Sequence, residues 1–364
     1  MSSYDQVRFI QEPLSLGAPS PEILDTLCET LWEWRTCASC SRGGCAGENC
    51  HWSRKKDLQA YLQFYEDVSC GSRPKDLFET QQAIRTHDEL VSIIRLIKHR
   101  PDCTRKELIE KVFAANTPVP SQDEQNRSFD LSMRILTTLE CGPSSHLRKS
   151  TSEPYSDLVW KDEETAISFV QSAFDMISSE TIRLFTPTAE KLRNLGIIVV
   201  GTEILSDHLR YNPRTKTLQI FRFTAFLREH LRQFQCESPV QICIIPRRLA
   251  FETLHSQQFI LFPFHNVTCR AIAKNAGLDK ASSDFDALNY AEDSDWGLQY
   301  VYWGDRMRII SALLEQDMPG NAFVIWLSKR SRLQLVMFLV GVFAAMLAFA
   351  TLLVEALGKG NARS

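Results

Sequence analysis

Apolar side chains recur at helical spacing along the first part of the chain, and each run opens on a capping residue. Ser20 precedes Pro21 as an N-cap before a first-turn proline, and Leu24, Leu27, Leu31 and Trp34 then share one face. This predicts a helix to about Thr36. Leu58, Tyr61, Leu62 and Tyr65 repeat the pattern, so two amphipathic helices bracket a cysteine-rich connector. Three capping boxes follow, Thr86 with Glu89, Thr104 with Glu107 and Ser121 with Glu124, each ahead of an apolar periodic run. The inner faces of the three helices they predict carry Leu90, Ile93 and Ile97, then Leu108, Ile109 and Val112, then Phe129, Met133, Leu136 and Leu139. A proline-containing break at 116–120 separates the last two, and the polar run from Cys141 marks a domain boundary.

The periodicity changes after Trp160. A helix is expected over 166–174, a strand over 197–200 after Gly196, and a short helix from Thr202 through Leu209. Asn212-Pro213 makes a turn, Leu218 and Ile220 alternate in a second strand, and Thr224 opens a helix over 226–234. Two more helices are expected over 247–262 and 296–314. Positions 333–354 carry no charge, and 22 residues at about 1.5 Å each span the roughly 30 Å hydrocarbon core of a bilayer. Leu, Val and Phe dominate the segment, with Gln334 and Thr351 near its ends, for an insertion free energy of about −5 kcal/mol. Gly341, Ala345 and Ala348 lie on one side of it as a small-residue stripe suited to helix–helix contact in lipid.

The expected organisation is an N-terminal segment (1–20), a helical hairpin with a Cys-rich loop (21–73) and a three-helix module (78–141). A linker (142–158), a small α/β unit (159–235), a helical region (236–332), a transmembrane helix (333–354) and a tail (355–364) follow. The fold class is mainly α with a small α/β portion: a helical multi-domain body plus one C-terminal transmembrane helix. Lys329, Arg330 and Arg332 precede the span while Lys359 and Arg363 follow it, so the positive-inside rule places the body in the cytosol by a narrow margin. The opening thirteen residues have no apolar core of an export signal, which agrees with a tail-anchored, single-pass protein. In a cytosolic body the sequons at Asn126 and Asn266 stay bare.

Composition changes this picture little. The 364 residues are 44% hydrophobic and 23% charged, and a formal charge of −3 gives no basic excess for a run of phosphates. The eleven cysteines matter more, because five fall between Cys28 and Cys50. In a reducing compartment such thiols point to metal rather than disulfides. Cys37, Cys40, Cys45 and Cys50 stand at C-x₂-C-x₄-C-x₄-C, and Gly43, Gly44 and Gly47 let so short a loop close a tetrahedral zinc shell. The spacing resembles a zinc knuckle with cysteine in place of its histidine, and departs from it at Ala38 and Ser41. His51 is an alternative fourth ligand to Cys50. A loop without metal, disulfides or another metal are the competing readings. A closed four-ligand site is structural, since no position remains for water.

Other features carry less chemistry. The helical trio admits a helix-turn-helix reading, but Asp123, Glu124 and Asp130 balance Arg127 and Arg134 on its last helix, which suits packing or protein contact better than phosphate. Asp207-His208 and Glu229-His230 are sequence neighbours that point apart on a helix and read as surface or helix-end histidines. Arg54, Lys55 and Lys56 read as a solvated helix start. No Walker loop, GxGxxG, HExxH or GxSxG occurs, and no catalytic residue is nominated.

The order of EILDTLCETLWEWRTC, VWKDEETAISFVQSAF, LSDHLRYNPRTKTLQIFRFTAFLREHLR, IPRRLAFETLHSQQFILFP and YVYWGDRM ahead of a terminal membrane helix resembles an uncharacterised family of filamentous-fungal proteins. The resemblance covers most of the chain and implies no activity. The expectation is therefore a membrane-tethered interaction or scaffold protein with a cytosolic body, a zinc-stapled loop and a protein partner. An enzyme of unrecognised class acting at a membrane and a membrane-anchored nucleic-acid binder are the alternatives.

Overall fold

The computed structural model describes residues 16–34, 50–70, 83–114, 118–141, 158–174, 187–235, 243–292, 295 and 300–316. The chain divides into two units, Met1–Leu314 and Glu315–Ser364. The expected membrane span lies outside the described residues, among which no helix is long and apolar enough to cross a membrane. The described part is mainly helical with one three-stranded sheet.

Helix α1 spans Pro21–Trp32, and Ser20 Oγ accepts the amide of Ile23 at 3.4 Å. It stops at Glu33, which adopts a left-handed conformation, well before Thr36. The reason is non-local. Lys98, from the third helix, donates through Nζ to the carbonyls of Thr30 (3.1 Å) and Leu31 (2.9 Å), satisfying the last turn from outside the helix. A 3₁₀ turn, His51–Leu58, leads into α2, Gln59–Ser69.

The next helices are α3 (His87–His99), α4 (Arg105–Phe113) and α5 (Gln122–Thr137), and all three capping boxes form. The Glu89, Glu107 and Glu124 carboxylates each accept the amide of their N-cap residue, at 3.2, 2.8 and 2.8 Å. The expected inner faces are buried, except that Val112 is half-buried and Phe113 takes the core position. Tyr61 of α2 donates its hydroxyl to the Ile135 carbonyl of α5 at 2.6 Å. Its ring stacks on Phe226 at 4.6 Å, with Trp32 of α1 edge-on to that phenylalanine at 5.9 Å. This aromatic cluster is where the N-terminal helices meet the later part of the fold.

Short helices α6 (Ala166–Ser172) and α7 (Ala189–Asn194) precede the sheet. Strand β1 (Ile198–Thr202) pairs in parallel with β3 (Thr217–Phe221), and β2 (Arg210–Asn212) lies antiparallel to β3 on its other side, giving the order β1-β3-β2. Where a helix through Leu209 was expected, only a 3₁₀ turn forms at Leu205–Asp207, and β2 follows. The turn after β2 is set by Asn212, whose Oδ1 accepts the amides of Arg214 (3.0 Å) and Thr215 (3.3 Å). Helix α8 (Thr224–Gln233) begins directly after β3. Helix α9 (Arg247–His255) runs on as a π-helical turn, Ser256–Leu261, and α10 (Val267–Asn275), two 3₁₀ turns at Lys280–Ser283 and Ala287–Tyr290, and α11 (Gly304–Gln316) follow. The amide of Gly201 in β1 donates to the Ala276 carbonyl at 3.0 Å, and a Cβ at Gly201 would stand 2.5 Å from that oxygen. Glycine there lets α10 close the outer edge of β1.

Candidate functional site

Of the four expected zinc ligands, Cys37, Cys40 and Cys45 lie outside the described residues, and Cys50 is buried at the start of the 3₁₀ turn. The Cys50 carbonyl accepts the Ser53 amide (3.2 Å) and hydroxyl (2.7 Å). Trp34, on the near side of the cysteine loop, is buried against the far side: its ring stacks on His51 (6.0 Å, 13° between planes) and meets Trp52 edge-on at 5.4 Å. The Arg54 guanidinium lies over the same indole at 5.8 Å. The two ends of the stretch 35–49 are thus held together by an aromatic clamp, which meets the loop-closure cost before any ligand binds. Among the described residues no group of three or more His, Cys, Asp or Glu side chains is arranged to hold a metal ion.

The 3₁₀ turn beyond the clamp is bolted to α8. Arg54 makes a two-pronged ion pair with Glu229, Nε to Oε1 at 2.7 Å and Nη2 to Oε2 at 2.8 Å, and Arg232 pairs with the same carboxylate. Asp57 accepts from Arg228 at 3.1 Å, and Arg228 also reaches Asp284 at 2.5 Å and Asp286 at 3.4 Å. Lys55 pairs with Asp25 of α1. Arg54 and Lys55 are therefore no solvated helix start. Their partners are distant in sequence, and local pattern does not reveal them.

The histidines are corrected in the same way. His208 and His230 are buried, because α8 and the turn before β2 are enclosed on every side by other elements. His230 Nε2 bonds the Ile245 carbonyl at 2.9 Å, and burial lowers its pKa to about 4. The Phe221 amide donates to His208 Nδ1 at 3.3 Å, so the neutral ring carries its proton on Nε2 and donates it to Ser256 Oγ at 2.8 Å. The Ser256 hydroxyl in turn donates a hydrogen bond to the Thr253 carbonyl at 2.8 Å. Burial first, and then the nearby Arg306 charge, hold His208 well below its usual range. A histidine beside a serine suggests a base and a nucleophile, but here the ring donates to the hydroxyl and cannot take its proton. Neither neighbouring carboxylate pairs with its histidine. Asp207 binds Arg210 at 3.1 Å, and Glu229 serves Arg54.

A third polar cluster ties α9 to the segment before α11. Glu252 accepts the consecutive amides of Val301 (2.7 Å), Tyr302 (2.9 Å) and Trp303 (3.3 Å), and Arg248 at 2.9 Å. Burial raises its carboxyl pKa despite these donors. Asp295 bridges Arg247, at 2.6 Å, and Arg248. Burial pushes the Asp295 carboxyl up, but the Arg247 hydrogen bond and its other partners prevail and lower it. The Arg248–Glu252 spacing of four was legible on a helix, whereas the three amides and Asp295 were not.

A cleft of about 410 Å³ opens between α4 and α5. Ile109, Phe113 and Val119 give it apolar walls, and Glu110, Asp162 and Glu163 outnumber Lys106 among its charged groups. None of the buried carboxylates and histidines with displaced pKa values lines it. Comparison with protein-family models, with curated proteins and with solved structures returned no match.

Proposed function

We propose that the chain is a membrane-tethered interaction or scaffold protein: a helical body in the cytosol, anchored by positions 333–354 and stapled by a structural zinc ion at Cys37, Cys40, Cys45 and Cys50. The observation that carries the interaction reading is the lining of the α4–α5 cleft, which has apolar walls at Ile109, Phe113 and Val119 and a surplus of carboxylates from Glu110, Asp162 and Glu163. Such a surface suits a protein segment with basic side chains and opposes a phosphate backbone.

The cytosolic side is supported by Asn266. Its Oδ1 caps α10 by accepting the Cys269 amide at 3.0 Å, and its Nδ2 donates to Glu190 at 2.7 Å. A glycan on Nδ2 would disturb this arrangement. The zinc reading is supported by the donor set and by the closed loop base, where His51, next to Cys50, stacks on Trp34.

The anchor is tested by alkaline carbonate extraction of the full chain beside a variant ending at Leu333. The full chain stays in the membrane pellet and the shortened one is released. A shortened chain that stays in the pellet would remove the span as the sole attachment.

A further inference from the structure

The segment after α9 carries an aromatic surface unlike the rest of the described body. Phe285 stacks on Phe259 at 4.0 Å between ring centroids, and Phe264 meets Phe285 at 6.2 Å. Phe264 is 57% exposed and Phe285 43%, so two of these large rings face solvent. Phe285 also has a φ of 59°, in the left-handed region that a bulky side chain avoids. The fold therefore holds a strained backbone here while keeping a ring at the surface, a combination that points toward use.

The cations near the rings lie together on α10. Arg270 stands over the Phe264 ring at 5.6 Å, and Lys274 follows one helical turn later on the exposed face of α10 that Val267 begins, itself 69% exposed. Arg270 and Lys274 pair with no carboxylate among the described residues. Of the nearby acids, Asp284 and Asp286 on either side of Phe285 share Arg228, and Glu190 accepts from the Asn266 amide. Exposed phenylalanines beside the Arg270 and Lys274 cations suit the headgroup region of a bilayer containing acidic lipid, where rings enter the acyl boundary and cations meet phosphate and carboxylate.

We propose that the α10 face, through Phe264, Phe285, Arg270 and Lys274, seats the body on an acidic bilayer surface. This rests on the anchor reading for its geometry. On that reading the sixteen positions 317–332 set the upper limit of the tether at about 55 Å. Such tethering makes a modest surface affinity sufficient, since the second contact is intramolecular.

The test uses the full chain reconstituted into vesicles of phosphatidylcholine with and without phosphatidylserine, read by amide hydrogen exchange over 262–288. Exchange there slows several-fold on the serine-containing vesicles and not on phosphatidylcholine alone. The double variant Arg270→Gln, Lys274→Gln abolishes the slowing while exchange in α3 and α5, which reports folding, is unchanged. Equal exchange in both lipids overturns the proposal. So does protection that follows protein density at fixed lipid composition, the signature of a second copy on this face. Carbonate extraction of the same samples separates the two readings. A chain retained in the pellet with 262–288 unprotected sinks the surface and leaves the anchor. A chain extracted by carbonate yet protected on acidic vesicles sinks the anchor and leaves the surface.

Discussion

Lys216 sits at φ 50° in the turn between β2 and β3, where a side chain crowds the following carbonyl at a cost of about 1 kcal/mol. Lys216→Gly removes that crowding, and the denaturant midpoint of the full chain is expected to rise by the equivalent of about 0.5–1 kcal/mol. Asp279 makes a second prediction at this scale. Its Oδ2 accepts the Ala225 amide at 2.7 Å at the start of α8, and burial, the largest influence, raises its pKa to about 7 against opposing hydrogen bonds. A raised carboxyl pKa means that the native state holds the proton more tightly than the unfolded chain. Between the ordinary carboxylate range near 4 and pH 7, stability therefore falls as pH rises, by up to about 1.4 kcal/mol per unit, and this contribution is flat above pH 7. Asp279→Asn keeps an acceptor for the Ala225 amide and cannot ionise. Unfolding curves from pH 4 to 8 should show the wild type losing stability relative to this variant as pH rises. A constant difference would exclude Asp279 as the source.

At the scale of elements, the helix starts were legible because capping is local: Ser20, Thr86, Thr104 and Ser121 each bond within four residues of themselves. The end of α1 was not, because the group that completes it is Lys98, on another helix. Strand β2 escaped notice because three half-buried residues leave no alternation to read. The candidate site divides along the same line. The cysteine spacing stood in plain view, whereas the clamp of Trp34, His51 and Trp52 and the pairing of Arg54 with Glu229 join residues that only the fold brings together. That pairing predicts a coupling. Glu229 is 3% exposed at its side chain, and Arg54 reaches it with two hydrogen bonds. A double-mutant cycle of Arg54→Ala and Glu229→Ala should give an interaction energy of about 1–3 kcal/mol. Additive losses would mean that this pair does not couple the 3₁₀ turn to α8, leaving the rings and the Asp57–Arg228 and Lys55–Asp25 pairs to hold it.

For the whole molecule, the ion pairs make the 3₁₀ turn that follows the cysteine stretch a neighbour of α8, the helix on which the N-terminal cluster and the aspartates near Phe285 converge. Metal binding to four thiolates is coupled to folding and to thiol deprotonation. Elemental analysis of the purified, reduced full chain is expected to find one zinc per chain, lost in Cys40→Ser. Chelation should then speed hydrogen exchange in 51–58 ahead of α3 and α5, because that turn follows directly on Cys50. A zinc content near zero in the reduced wild type would end the metal reading. Zinc that survives Cys50→Ser but not His51→Ala would keep the site and exchange its fourth ligand.

The contact between Gly201 and Ala276 bears on how such chains live side by side. Molecules fixed to one bilayer diffuse in two dimensions and collide far more often than they would free in solution, and an unpaired strand edge then invites neighbours to zip together. In this sheet, one edge strand is β1, whose Gly201 amide is already engaged by the end of α10, and the other is β2, only three residues long. Chains brought together by the proposed anchor therefore meet, among the described strands, one edge partly engaged by the end of α10 and another only three residues long.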